Sequence, residues 1–326
     1  MKKIIYLTIV IAIACSCQKS ITLEEPLKNN SVSSLSNVTS KDGRLIFKNK
    51  TDFNATVKML FDNQKSIKNF ESQFAGFTSN KQAFERIDST FLKSINYNYD
   101  LISNYATVIE TPEGKSLERI VDMHLLAYLF NDEGILQIGD SIFKFSYDFT
   151  YKFNVDKLSQ LKSAKLDLSS NDVIAYPNIR SRIELPTDNL KSAQESVAEL
   201  RKYYSSTKFM KCELNRNVTV LMNSITVDTK SQKKNWLGIG FAYSVDYLYC
   251  AAQGGFRVIG VNGDILVVNS FNVSQARTGS VSDVQEAIWT GWYPDIPEFI
   301  PGTTIGVHRI AYSITDPVKP YEYTYY

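Results

Sequence analysis

The chain predicts an α+β protein: an α-rich N-terminal part that includes one β-hairpin, followed by an antiparallel β-rich C-terminal domain built as a sandwich or a partly open barrel. Three observations predict it. Apolar residues recur at helical spacing in three stretches before residue 130. After about Ser206 the chain turns to β-branched and aromatic runs separated by turn signals. The composition of the 326 residues, 44% hydrophobic and 21% charged with 12% aromatic, is that of a globular protein long enough for two domains of ~100–200 residues each.

The chain begins MKKIIYLTIVIAIACSCQKS, with Lys2 and Lys3 ahead of an apolar stretch from Ile4 to Ala14 and small residues before a cysteine. That is the layout of a secretory signal, and the apolar stretch is shorter than the ~20 residues needed to span a bilayer as a helix. Ala14-Cys15-Ser16-Cys17 resembles a bacterial lipobox, in which a cysteine thiol is diacylated after cleavage. Residues 1–16 are therefore expected to be a lipoprotein signal peptide and Cys17 the lipidated residue, with Cys15 as the alternative. Two or more acyl chains hold a protein at a membrane without a transmembrane segment. Residues 17–42 are rich in Ser and Asn without apolar periodicity and are expected to form a flexible tether.

Two folded parts are expected, at 43–205 and 206–326. In the first, Gly43 to Phe47 reads as a strand, and Thr51 or Asp52 can cap a helix carrying Val57, Leu60, Phe61, Ile67, Phe70 and Phe74 near one face. Ser79 and Gln82 have the spacing of a capping box ahead of a second helix running to Ile95. Leu117, Ile120, Val121, His124, Leu125, Tyr128 and Leu129 predict a third. Gly139-Asp140 joins two short apolar runs as a hairpin. Asn154–Leu161 and Ser192–Tyr204 read as further helices, with loop and short extended pieces between them. In the second part, the runs on either side of Asn262-Gly263 form the strongest hairpin signal in the chain, and Thr304–Ile314 and Tyr321–Tyr326 supply the last strands.

The lipobox, the opening Gly43-Arg44-Leu45-Ile46-Phe47, the hairpin segment Leu136-Gln137-Ile138-Gly139-Asp140, and Lys233-Lys234-Asn235-Trp236-Leu237-Gly238 at the entry to the β-rich part together resemble Bacteroidota lipoproteins of unknown function. The resemblance implies an outer-membrane lipoprotein facing the surface or the periplasm. Gln18-Lys19 directly after the cysteine looks like the start of signals for display on the outer face. The resemblance assigns no functional residues.

Lys+Arg 36 against Asp+Glu 34 leaves a net +2, with no long basic run, so nucleic acid is not expected as a partner. With only two histidines, His124 and His308, a three-histidine zinc site is excluded. His124 lies in an apolar stripe and reads as a packed, hydrogen-bonded core residue, and His308 as a solvent-facing or structural one. No nucleotide fingerprint, phosphate loop or HExxH is present, and neither cofactor nor metal is expected. Asp283 with Glu286 and Asp295 with Glu298 are the carboxylate pairs to examine for glycoside hydrolysis. Trp289, Trp292 and Tyr293, beside Pro294, Pro297 and Pro301, read as a long rigid aromatic loop whose rings can stack on a sugar or plug the end of the β-rich part. Alternation along an extended segment places Trp289 and Trp292 on opposite faces. Cys212 and Cys250 are the cysteines of the folded part, and either a disulfide or two buried thiols fits an exported protein. The expected role is a non-catalytic binding or interaction module, partnered with a membrane through lipid and with a glycan or an envelope protein. The alternatives are a glycan-acting hydrolase and a structural accessory of an outer-membrane assembly.

Overall fold

The structure is a computed structural model that describes residues 37–111, 114–163, 165–182, 199–260, 262–292, 295–300, 303–313, 315 and 317–325. The signal peptide, Cys17 and the expected tether up to residue 36 lie outside the described residues. Strands dominate, and the α-rich N-terminal part expected from sequence is not what forms.

In chain order the elements are β1 (Val38–Lys41), β2 (Arg44–Phe47), α1 (Lys50–Asp62), α2 (Asn80–Glu85), α3 (Ser89–Ser94), β3 (Ala106–Thr111), β4 (Gly114–Arg119), β5 (Ile135–Ile138), β6 (Ser141–Phe145), β7 (Phe149–Asn154), α4 (Leu158–Lys162), β8 (Ile174–Pro177) and β9 (Ile179–Arg182). They continue as β10 (Glu199–Tyr203), β11 (Lys208–Val218), β12 (Asn223–Lys234), β13 (Gly240–Ala242), β14 (Val245–Ile259), β15 (Ile265–Val281), β16 (Asp283–Gly291), β17 (Ile296–Phe299), β18 (Thr304–Ala311) and β19 (Lys319–Tyr325).

Val38–Lys41, expected at the end of the tether, is a strand instead. It pairs with β2 across Asp42-Gly43, whose φ values of 50° and 73° are those of a tight hairpin turn. α1 is capped by Asn49, whose side chain accepts from Asp52 N–H, two or three residues earlier than Thr51 or Asp52 suggested. Ser79 caps α2 as the sequence predicts, but Asp88 starts a new helix by accepting from Phe91 N–H, so the expected second helix is two short ones. The hairpin at Gly139-Asp140 forms as read, with Ile138 opposite Ser141.

The predicted third helix is absent. Leu117 ends up in β4, and the rest of the stripe is irregular, with one 3₁₀ turn at Leu126–Tyr128. Every residue from Ser116 to Asn131 is buried, so apolar side chains met any period laid over them, including 3.6. The predicted helix at Ser192–Tyr204 is also overturned in its described portion, where residues 199–203 are β10.

Three sheets result. β1-β2-β5-β6-β7-β8 form the first, antiparallel except for the parallel β2–β5 pair. The second runs β10-β11-β12-β13-β4-β3, with β9 added to β11 and β16 added to β12. It curls into a half-barrel, and Arg201 Nη2 on β10 donates to Gly114 O on β4 at 3.0 Å, drawing the two sides together. β3 and β4, which precede residue 205, share this sheet with β11, β12, β13 and β16, which follow it. The third sheet, β15-β14-β18-β19 with β17 on β14, packs on the second as a sandwich. Met210, Cys212, Leu214, Ile225 and Val227 from one sheet meet Leu248, Cys250, Phe256 and Ile310 from the other.

Candidate functional site

Alternation decides what fills the half-barrel. With Met210, Cys212 and Leu214 of β11 pointing into the sandwich, Lys211, Glu213 and Asn215 point the other way. On β12, Asp228 and Lys230 do the same opposite Ile225 and Val227. Such charges would ordinarily meet water, but β4 curls over them: Lys211, Glu213, Asn215 and Asp228 are buried and Lys230 is nearly so.

Glu118 on β4 and Glu213 on β11 each contact both lysines. Lys211 Nζ lies 2.6 Å from Glu118 and 2.7 Å from Glu213, and Lys230 Nζ lies 3.1 and 2.7 Å from the same two carboxylates. Ser116 Oγ donates to Glu118 at 2.7 Å. Burial pulls the pKa of Lys230 down, but Glu118, Glu213 and Asp122 outweigh it and hold the ammonium charged. Burial pushes the Asp228 carboxyl well up; Lys230 opposes this while Glu213 and Asp122 reinforce it, and the Asn215 amide donates to the carboxyl.

A second group adjoins the first. Asp283 accepts from Lys81 at 3.0 Å and from Arg277 at 2.8 Å, with Arg119 at 3.9 Å. Burial alone would raise the Asp283 pKa, but these three cations hold it far below the ordinary carboxylate range. Between the groups is a cavity of about 20 Å³ lined by Phe84, Glu85, Arg119, Lys230, Gln232 and Asp283, room for about one water. Lys211 and Glu213 have no exposure at all, so a substrate has no approach to them, and what these charges do is tie β4 across β11 and β12.

The sequence candidates fall as follows. His124 is a buried core residue, as read. Its Nδ1 lies 3.0 Å from Gln285 Oε1, and burial followed by Lys81 and Arg119 lowers its pKa to about 3. His308 is fully buried against Thr229 Oγ1 and is lowered to about 3 by burial; it is structural, not solvent-facing. Asp283 is committed to its cations, and Glu298 is bound by Arg257 at 2.9 Å, so both proposed carboxylate pairs have a member in an ion pair. Cys212 and Cys250 are separate free thiols, fully buried on facing sheets, and burial pushes both pKa values well up.

The long aromatic loop is corrected. Trp289 belongs to β16, opposite Ile225, and only a tight turn, closed by Asp295 N–H donating to Trp292 O, separates β16 from β17. The two indoles diverge as alternation predicts, but each meets protein. Trp289 packs in the sandwich 6.1 Å from Phe256, and Trp292 packs against the N-terminal core 6.4 Å from Phe53. Both are half-buried. Tyr293 lies outside the described residues.

The remaining tryptophan, Trp236, which the sequence places only at the entry to the β-rich part, is 75% exposed. Its loop is tightly fixed: Asn235 Oδ1 accepts from Leu237 and Ile239 N–H, each at 3.0 Å, and Asn235 Nδ2 donates to Tyr99 OH at 3.1 Å. Tyr97 stands edge-on to the indole at 6.0 Å. Asn96 and Tyr97 both have positive φ, 51° and 55°, a conformation that costs a bulky side chain of order 1–3 kcal/mol and that gathers at ligand sites. Exposed Leu237 and Leu101 flank this shelf in sequence. The signal was present in Asn235-Trp236-Leu237-Gly238, where turn residues bracket a tryptophan.

No protein family matches the sequence, nor does any curated protein. Among solved structures, a DUF4848 family protein from Bacteroides thetaiotaomicron is similar over 88% of this chain and 99% of its own, with 14% identity and a TM-score of 0.26.

Proposed function

We propose that the protein is a lipid-anchored binding module of the bacterial cell envelope. It is held at the outer membrane through Cys17 and takes up its ligand on the aromatic shelf of Trp236 and Tyr97 without catalysis. The observation that carries this reading is the exposed indole on a loop fixed from three sides, beside a tyrosine kept in a strained backbone conformation. A large apolar ring left in water has no folding benefit, and strain of this kind persists where the surrounding structure enforces it. A flat aromatic face of this sort suits the apolar face of a sugar ring, and a glycan is the ligand class we favour.

The test is a glycan array and an envelope pull-down with the wild type, Trp236→Ala, and Trp289→Ala with Trp292→Ala as the comparison. Binding lost at least tenfold on Trp236→Ala, with the fold intact by circular dichroism, supports the shelf. A captured ligand indifferent to Trp236 overturns it. Anchoring is tested by fractionating cells that make Cys17→Ser, alone and with Cys15→Ser. Retention of the double variant in the membrane fraction at wild-type level refutes lipidation there.

A further inference from the structure

β15 is a 17-residue strand at the edge of its sheet, and among the described residues no strand pairs with its outer side. Its last third is covered. Arg277 binds Asp283, and the Gln275 amide reaches Gln285 O and Glu286 on β16. From Ile265 to Ser274 nothing comparable guards it among the described residues. That stretch, Ile-Leu-Val-Val-Asn-Ser-Phe-Asn-Val-Ser, contains no charge, proline or glycine. Ile265, Leu266, Val267 and Val268 are exposed at 56, 53, 38 and 61%. Soluble proteins normally blunt such edges with lysine, proline or a bulge, because open N–H and C=O groups on a flat apolar strand pair with another chain.

We propose that this edge is a self-association site, where two copies of the chain join β15 to β15 antiparallel about a two-fold axis, continuing the sheet from one copy into the other. The absence of charge suits a second copy as the occupant. In an isologous contact a charge at the axis would meet its like, and like charges elsewhere on the patch would face one another, whereas this patch carries no charge at all. The register follows from symmetry. Residues opposite each other must share a face, so the axis passes through a residue, and centring it on Ser270 engages the whole span from Leu266 to Ser274. Val268 then faces Asn272, Leu266 faces Ser274, and Ser270 faces its own copy. A paired edge of ~30 Å, with side chains on both faces, buries on the order of 800 Å² in total, below the ~1,200 Å² of stable specific interfaces and in the range of a weak one. The dimer is therefore concentration-dependent.

Sedimentation of the full-length chain across micromolar to near-millimolar concentration should show monomers passing reversibly to dimers. Val268→Lys with Asn272→Lys sets like charges opposite one another and should weaken association at least tenfold while circular dichroism stays unchanged. Ser270→Cys in a Cys15→Ser, Cys17→Ser background, oxidised under non-reducing conditions, should give a covalent dimer that the same background with Ser270, carrying only the buried Cys212 and Cys250, does not. A wild type monomeric throughout, or a dimer that the paired lysines leave intact, overturns the proposal. A dimer that Ser270→Cys cannot cross-link overturns its register. Should the lysine variant fail to fold, the cross-linking result decides alone.

Discussion

Replacing Lys211 by methionine isolates the contribution of the buried charges. The methionine keeps the length and apolar stem of lysine, so packing changes little and the perturbation is the loss of one ammonium. That ammonium makes contacts of 2.6 and 2.7 Å to Glu118 and Glu213, which are 2 and 0% exposed. After substitution Lys230 alone faces both carboxylates, and one uncompensated charge remains with no route to water. Removing one partner of a buried ion pair costs about 3–5 kcal/mol, whereas an exposed pair such as Lys58–Asp62 is worth under about 0.5 kcal/mol. With a urea slope near ~3 kcal/mol/M, Lys211→Met should lower the unfolding midpoint by about 1–2 M and Lys58→Ala by under ~0.2 M. Adding Glu118→Gln to Lys211→Met should recover part of the loss, since Glu213 and Lys230 then pair one to one. A loss below about 1 kcal/mol for Lys211→Met would refute the reasoning, because it would mean that water or a shifted proton already neutralises the site.

Three further outcomes follow from the same geometry. His124 and His308 have pKa values of about 3 in the folded protein against about 6.5 unfolded, so the unfolded chain binds more protons between these values. The stability they contribute is complete above pH 6.5 and falls as pH drops toward 3, by about 2 kcal/mol per histidine at pH 5; His308→Gln should flatten the curve by that amount, and parallel curves would contradict it. A Cβ at Gly291 would lie 2.1 Å from Trp289 Cη2, so Gly291→Ala should displace the indole from Phe256, cost about 1–3 kcal/mol and shift tryptophan emission to the red. Alkylation of the native protein should leave Cys212 and Cys250 unmodified, while both react in urea without reductant; two residues that react in urea only after reduction would show a disulfide instead.

What the sequence disclosed was what is decided locally. Gly139-Asp140 places its two-residue turn, and Asn262-Gly263 falls in the short loop between β14 and β15, because such turns depend on their own backbone; Ser79 likewise caps α2 through a contact three residues away. Asp42-Gly43 carried the same turn signal for β1 within an apparently polar tether. Where burial is set by distant strands, local patterns mislead. Ser116–Asn131 reads as an amphipathic helix only if one face is solvated, and none is. Lys211, Glu213, Asp228 and Lys230 alternate with apolar residues as a solvent-facing strand surface would, and nothing nearby announces that Glu118, about 90 residues earlier, returns to cover them. Trp289 reads as part of a loop because Pro294, Pro297 and Pro301 follow it, whereas β12 had an edge to fill at Ile225.

The single parallel bridge between Gly240 and Ser116 joins positions about 120 residues apart. By contrast, β5, β6 and β7 pair with immediate neighbours along the chain. Loop-closure entropy makes the neighbouring pairs quick to form and the distant one slow, so the meander should acquire hydrogen-exchange protection first and β4 late. Until β13 arrives, Glu118 has no lysines and the lysines lack Glu118. A chain interrupted between the two halves would therefore keep its small meander but leave a carboxylate strand without the cations that make its burial tolerable, which ties the cooperativity of the whole fold to one short, late contact.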